Sequence, residues 1–318
     1  MLTLLSALLF CLPAGAEWHS AEADKMGTRM EVRLWHEDRA RARALLDAAM
    51  AEFDRIEAAM STYIESSEIS RVNREAATRP VPVSAELFAL VERALALGEE
   101  TGGAFDITYD SVGQLYDFRD RRRPDQTRIE QGLPAIDYRF VELEPDDNSI
   151  AFARSGVRIN LGGIAKGYAV ERVIAGLREA GVQSALATAG GDTRLLGDRW
   201  GKPWLVGIRN PDDADGVVTR LALADEAIST SGDYERFFDE DGVRYHHILK
   251  PDTGNPAREL RSVTVIGPDA TLTDGLATSI FVLGADAGIE LVEDLAGYEA
   301  VLIPRSGPLR YSSGLDPR

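Results

Sequence analysis

Between Arg39 and Met60 the apolar residues Leu45, Ala49, Phe53, Ile56 and Met60 recur three or four positions apart. That is the period of one helix face, so the pattern predicts an amphipathic helix whose stripe faces a core. Met30 to Trp35 alternates instead and predicts a strand. Ser84, with Glu86 close behind, predicts the start of a second helix ending near Gly98, and Thr101-Gly102-Gly103 stops it. Residues 119–139 are rich in Arg, Asp and Pro and read as a surface excursion. Phe140 to Leu143 and Ser149 to Phe152 predict a hairpin around residues 145–148. Val157 to Leu161 predicts a strand that runs through Gly162-Gly163 into a helix from about Ala165 to Ala180. Further strands are predicted around residues 185–188, 204–209, 217–222, 226–229, 245–249 and 262–266. Thr273 is placed to cap a helix reaching Leu283, and Asp286 to cap another. Strands and helices without a regular alternation predict an α+β fold, with mixed sheets and packed helices. No clean linker interrupts the chain, so one compact unit is expected, with room for two lobes.

Composition narrows the function. Lys and Arg number 35 against 52 Asp and Glu, a net charge of −17. That balance argues against a sequence-independent nucleic-acid binder, which needs a basic face. It argues equally against docking on anionic lipid by bulk charge. Leu2 to Leu12 is almost continuously apolar, Ala14-Gly15-Ala16 supplies small residues, and Glu17 is the first charge. This predicts a secretory signal cleaved after Ala16, leaving residues 17–318 as the mature chain in a compartment such as a bacterial periplasm. The apolar run is too short for a permanent membrane span, and none follows it. Cys11 is the only cysteine. With the signal removed, disulfides, thiolate metal sites and a cysteine nucleophile are excluded.

Several segments carry chemistry. Gly162-Gly163 at a helix start, followed by Lys166, suits a phosphate, because helix N-termini expose unpaired N–H groups. A glycine pair at such a turn also arises from packing alone. Asp274 and Thr278 stand four apart, so their oxygens share one helix face. A carboxylate with a hydroxyl suits Mg²⁺ with waters and phosphate oxygens completing the shell. The same pair also serves plain dipole and backbone contacts. His246 and His247 sit in a strand pattern that points them to opposite faces, so one of them at most enters a given site. A histidine poised near neutral pH is a good general base. Thr101 to Asp106, Ile228 to Tyr234 and Gly190-Gly191-Asp192 add small-residue turns carrying acids and aromatics. Together they supply the backbone donors that a large polar ligand with rings and phosphates needs.

At this point the chain resembles the bacterial FAD:protein FMN transferases, the ApbE-type flavin transferases. The matching segments run in order: Met26-Gly27-Thr28, residues 60–63, residues 67–70 with Asn73, residues 101–106, residues 160–168, Gly190-Gly191-Asp192, residues 230–234, His246-His247-Ile248 and residues 274–278. The resemblance implies transfer of FMN from FAD, the substrate, to a Thr or Ser hydroxyl of a target flavoprotein, with release of AMP. It implies that Met26, Tyr63, Ala104, Phe105, Asp106, Gly162, Tyr168 and Ile248 line the FAD site, beside Lys166. It implies Mg²⁺ held by the Ala165 carbonyl, Asp274 and Thr278, and His247 as the base. Two other activities fit the same residues: a Mg²⁺-dependent FAD pyrophosphatase giving FMN and AMP, and a non-enzymatic periplasmic flavin-binding protein. One position departs from the pattern: an acid is expected before Pro251, and Lys250 stands there.

Overall fold

The computed structural model describes residues 17–315, and the signal sequence predicted over residues 1–16 lies outside them. The N-terminal part runs β1 (Glu17–Lys25), β2 (Thr28–His36), α1 (Arg39–Met60), α2 (Glu68–Glu75), β3 (Val81–Pro82) and α3 (Ala85–Glu100). Then follow α4 (Asp110–Gly113), α5 (Gln126–Gly132), β4 (Val141–Glu144), β5 (Ser149–Phe152), α6 (Ala165–Glu179), β6 (Ala185–Ala189) and β7 (Asp192–Leu196). Next come β8 (Trp204–Asn210), β9 (Asp213–Leu223), β10 (Ala227–Gly232), β11 (Phe237–Glu240), β12 (Val243–His246) and β13 (Leu260–Gly267). The C-terminal part adds α7 (Ala270–Leu283), α8 (Ala285–Glu293), β14 (Glu299–Pro304) and β15 (Arg310–Tyr311).

The α+β expectation holds. Eight strands form one sheet in the order β1-β2-β6-β7-β10-β13-β14-β15, and each neighbouring pair is antiparallel. Successive strand residues face opposite ways, so the sheet has two apolar faces to cover. Met30, Val32 and Leu34 of β2, Ala185, Ala187 and Ala189 of β6, and Val263 and Val265 of β13 join the main core with the helices. The stripe of α1 lies there too, with Phe53 and Ile56 fully buried. Leu186, Leu195, Ile228 and Ile266, the alternate residues, face the other side and meet Trp204 and Leu223 of the β8–β9 hairpin. Among the described residues, no helix is long and apolar enough to cross a membrane.

Helix α7 is buried on nearly all sides and packs tightly on α6. A Cβ added at Gly167 would lie 2.0 Å from the Ala270 carbonyl oxygen and 2.7 Å from the Asp274 Cβ. Gly167→Ala is therefore expected to destabilise the fold by about 3 kcal/mol or more, since neither backbone nor helix can give way cheaply. Denaturant melts check this; an unchanged midpoint would contradict the packing.

Three sequence expectations need correction. Residues 157–161 form no sheet ladder. Val157, Ile159 and Leu161 are buried, which explains the strand-like pattern, but side chains satisfy the backbone. The Asn73 amide takes the Ile159 N–H and donates to its carbonyl, at 2.8 and 2.9 Å, and Ser111 Oγ accepts from Arg158 N at 3.0 Å. Residues 119–139 are not wholly a surface loop. They contain α5, and Ile129 packs with Val112, Tyr116 and Leu249. The last helix of the site starts earlier than Thr273: Asp269 caps it, accepting from Thr271 N and Leu272 N at 2.8 and 3.2 Å.

Candidate active site

The N-terminus of α6 and the second turn of α7 meet at a charged cluster. The Lys166 ammonium lies 2.5 Å from Asp192 Oδ2 and 3.4 Å from Asp274 Oδ1. The other Asp274 oxygen accepts from the Gly167 N–H at 2.9 Å. Burial pulls the Lys166 pKa down, but the two carboxylates outweigh it and hold the group above an ordinary lysine. Burial first, and then the Asp192 charge, push Asp274 well above the carboxylate range. Asp274 is only 2% exposed, so its carboxylate is enclosed by the fold. It lies on a helix buried on nearly all sides, where Leu276, Ala277, Ile280 and Phe281 are buried beside it. Two buried carboxylates share one ammonium, which leaves the cluster short of positive charge.

One turn further along α7, the Thr278 hydroxyl pairs with Ser231 of β10 at 3.3 Å. Gly163 lies against both Thr278 and Phe105: a Cβ there would sit 3.3 Å from Thr278 Oγ1 and 3.2 Å from the Phe105 ring. The glycine pair thus runs beside the hydroxyls of α7 and β10. Gly162 N does not stay free, because it donates to Asn160 Oδ1 at 2.8 Å. The Asn160 amide in turn donates to Asp110 at 3.2 Å and to Thr62 at 3.4 Å, tying the glycines to the turn that carries Tyr63. Tyr63 itself is 86% exposed. Tyr109 lies near Tyr63, Arg236 and Arg158, and burial raises its hydroxyl pKa.

His246 and His247 diverge as expected, although β12 ends at His246 and His247 falls one residue beyond it. The His246 Nε2 donates to the Ala257 carbonyl at 2.6 Å, and its ring meets Phe281 edge-on. Behind it the fully buried Asp233 lies 3.0 Å from both Arg261 and Arg305 and 3.5 Å from Arg244. His246 is therefore part of the scaffold. His247 Nδ1 is shut off from solvent with no hydrogen-bond partner among the described residues. Burial, followed by the charges of Arg236, His246 and Lys166, pushes His247 down to about 3, so it is neutral across the physiological range. The influence of Lys166 links His247 to the α6–α7 cluster. The Arg236 carbonyl accepts the His247 N–H at 3.1 Å, and its guanidinium donates to the Met26 carbonyl at 3.3 Å. One arginine thus ties the Met26 turn to the histidine.

The remaining sequence candidates are placed as follows. The Asp106 carboxylate accepts from Thr108 N at 2.7 Å and Tyr138 N at 2.9 Å, so it organises the turn after Ala104 and Phe105. The Tyr168 hydroxyl donates to Glu86 at 2.6 Å, beside a cleft of about 580 Å³ lined also by Glu52, Arg55 and Arg172. Ile248 is buried, with its backbone bonded to His246 and Ala257. Ala165 is buried at the start of α6. Lys250 shapes its turn through the backbone, donating to the Asn255 carbonyl and accepting from Gly254 N, both at 2.8 Å. Asp192, Asn160 and Arg236 are the residues sequence reasoning did not assign. Asp192 stood in a quoted glycine turn, whereas Arg236 left no signal.

Both histidines stay neutral when folded, at about 4 for His246 and about 3 for His247. The unfolded chain binds protons at these rings below the ordinary histidine value of about 6.5, and the folded chain does not. Stability is present above that value and is lost as the pH falls toward 4. Thermal melts between these limits should show a shallower acid slope for His246→Gln than for the wild type. Equal slopes would contradict the burial of a neutral ring.

The sequence and the fold match a known enzyme family. A family model described as the ApbE family matches residues 26–302, and the chain belongs to that family. The FAD:protein FMN transferase of Treponema pallidum is 32% identical over 312 residues, covering 92% of this chain and 86% of the relative. The FAD:protein FMN transferase of Vibrio cholerae is 35% identical, covering 74% of this chain and 72% of the relative. Among solved structures, the ApbE protein of Thermotoga maritima superposes with a TM-score of 0.86 at 33% identity, over 94% of this chain and 98% of that one. The flavin transferase ApbE from Vibrio cholerae gives a TM-score of 0.85 at 29% identity, with the same two coverages.

Proposed function

We propose that this chain transfers FMN from FAD to a Thr or Ser hydroxyl of a target flavoprotein and releases AMP. The observation that carries the reading is the unpartnered His247 Nδ1, whose ring feels the charge of Lys166, in a chain of this family. The acceptor hydroxyl gives its proton to His247 as its oxygen attacks the phosphorus on the FMN side. The bond from that phosphorus to the AMP oxygen breaks, and AMP leaves with the electron pair. Burial foremost, and then the charges of Arg236, His246 and Lys166, keep His247 a weak base. The negative pyrophosphate of FAD would offset those charges, so the base gains strength when substrate arrives. Phosphoryl-type transfer needs mainly positioning and charge stabilisation; Lys166 is already engaged by Asp192 and Asp274, so a bound cation would have to add to it.

The residues also fit Mg²⁺. Asp274 is a buried carboxylate with a surplus of negative charge nearby, and Thr278, Ser231 and the Ala165 carbonyl add hard oxygens. Among the described residues, no group of three or more His, Cys, Asp or Glu side chains could hold an ion by itself. Waters and substrate phosphate would have to complete the shell, which is how Mg²⁺ is usually held. Bound there, Mg²⁺ would neutralise charge on the pyrophosphate. With the signal predicted over residues 1–16, we place this chemistry in the periplasm.

Incubation of the purified chain with FAD, MgCl₂ and a candidate acceptor protein tests the reading. Covalent flavin on the acceptor with free AMP is expected. Free FMN and AMP without an adduct would make it a pyrophosphatase, and intact FAD would make it a binding protein.

A further inference from the structure

Tyr109 plays no part in the transfer chemistry above, although it stands beside the glycine turn. Its ring is held in place by the fold. It packs against the cluster of Val112, Ile129 and Leu249, and a Cβ added at Gly113 would lie 2.9 Å from the ring edge. Its hydroxyl reaches the exposed Gly162, where an added Cβ would lie 3.8 Å from the oxygen. Among the described residues that hydroxyl makes no hydrogen bond. The adjacent Asp110 does not claim it, because Asp110 pairs with Arg158 at 2.5 Å and accepts from Asn160 at 3.2 Å. Burial, foremost, raises the Tyr109 pKa, so the hydroxyl keeps its proton and remains a donor. A tyrosine hydroxyl withdrawn from water ordinarily has a partner, and this one has none within the chain.

The turn beside it has few backbone donors to spare. The N–H groups of Gly162, Ile164, Ala165 and Gly167 are already taken, by the Asn160 side chain, the Leu161 carbonyl twice, and Asp274. The glycine pair therefore opens space for a ligand without supplying most of its hydrogen bonds, and side chains must do so. Arg236 is the nearby cation. Its guanidinium lies against Gly27, where an added Cβ would sit 2.5 Å from it, and its charge is felt at both Tyr109 and His247.

We propose that the Tyr109 hydroxyl donates a hydrogen bond to a phosphate oxygen of FAD bound over Gly162, which makes Tyr109 a further substrate-binding residue. The proposal rests on the transfer reading above and adds a residue to its substrate site. Two placements favour a phosphate over the flavin ring. Gly163, the next residue, lies against the Thr278 hydroxyl on the face of α7 that suits Mg²⁺. Arg236 neighbours both Tyr109 and His247, and His247 has to meet the oxygen that attacks the phosphorus. A donor that keeps its proton also suits an anionic oxygen that only accepts.

Tyr109→Phe tests this in the full chain, with MgCl₂ but without an acceptor protein, so that no transfer consumes FAD. FAD affinity, read from flavin fluorescence, should fall about tenfold or more, the cost of one hydrogen bond to a charged oxygen. In phosphorus NMR of bound FAD at least one resonance should move in the variant, while the visible flavin absorption stays as in the wild type. Without FAD the variant should melt with the wild type, because phenylalanine keeps the ring and the hydroxyl has no partner to lose. Unchanged FAD affinity would overturn the proposal, and so would a flavin absorption shift with unmoved phosphorus resonances. A clearly lower melting point of the FAD-free variant would overturn it too, by giving the hydroxyl a structural partner. A wild type that fails to bind FAD would instead overturn the transfer reading itself.

Discussion

His247→Ala is expected to lower flavin transfer by roughly 10² to 10⁴, the usual range for loss of a positioned general base. FAD affinity should change only a few-fold, because the ring serves the acceptor proton rather than the flavin. The neighbouring ring provides the contrast. His246 bonds the Ala257 carbonyl at 2.6 Å and packs on Phe281, so its replacement should act mainly on stability. Single-turnover transfer, measured beside FAD binding for both variants, separates the two roles. A dead His246 variant that is well folded, beside an active His247 variant, would reverse the assignment. Two active variants would place the base elsewhere.

Asp274→Asn should lower transfer by about 10³, since a buried charge poised for a cation supplies several kcal/mol to the transition state. Asparagine keeps the shape and can still accept from Gly167 N, and Lys166 keeps Asp192 at 2.5 Å. Asp274→Ala is a poorer probe, because emptying this buried position removes a partner of Lys166 and costs about 3 kcal/mol. The asparagine variant also carries a signature independent of turnover. The Asp274 pKa is raised in the folded chain, mainly by burial and then by Asp192, so ionising it opposes folding. Stability from this group is present at acid pH and is lost as the pH rises above the ordinary carboxylate value of about 4. Without divalent cation, Asp274→Asn should therefore melt above the wild type at neutral pH, and the gap should close in acid. MgCl₂ should raise the wild-type midpoint and leave the variant nearly unmoved. An equal rise in both would remove Asp274 from the metal site.

The periodic elements were legible in the sequence. The stripe from Leu45 to Met60 gave α1 its limits, and Ser84 marked the start of α3 where its hydroxyl accepts from Leu87 N. Elements lacking a strong apolar period were not. Strand β1 sits at the sheet edge, half exposed, so its pattern of Trp18, Ala21 and Ala23 among charges carries little signal. Residues 157–161 show the opposite failure: buried alternation marks them as a strand, yet Asn73, far away in sequence, replaces the ladder.

Within the site, residue types pointed to Asp274, Thr278 and the His246–His247 pair, and the resemblance chose His247, but neither gave their surroundings. The burial of Asp274 comes from tertiary packing rather than a local pattern, since Thr271, Thr273, Thr278 and Ser279 give α7 other polar positions, and α6, α8 and the sheet enclose the helix. The pairing of Lys166 with Asp192 depends on β7 lying beside α6, a tertiary fact no local pattern contains. The same holds for Arg236, which reaches both Met26 and His247 only through the fold.

The most direct measurement is intact-protein mass spectrometry of an acceptor flavoprotein after incubation with FAD, MgCl₂ and either the wild type or the His247→Ala variant. The account predicts a covalent FMN adduct on one Thr or Ser, an equal amount of AMP, and near absence of both with the variant. Acceptor left unmodified by the wild type while FAD is consumed to free FMN, or equal adduct from both proteins, would contradict it.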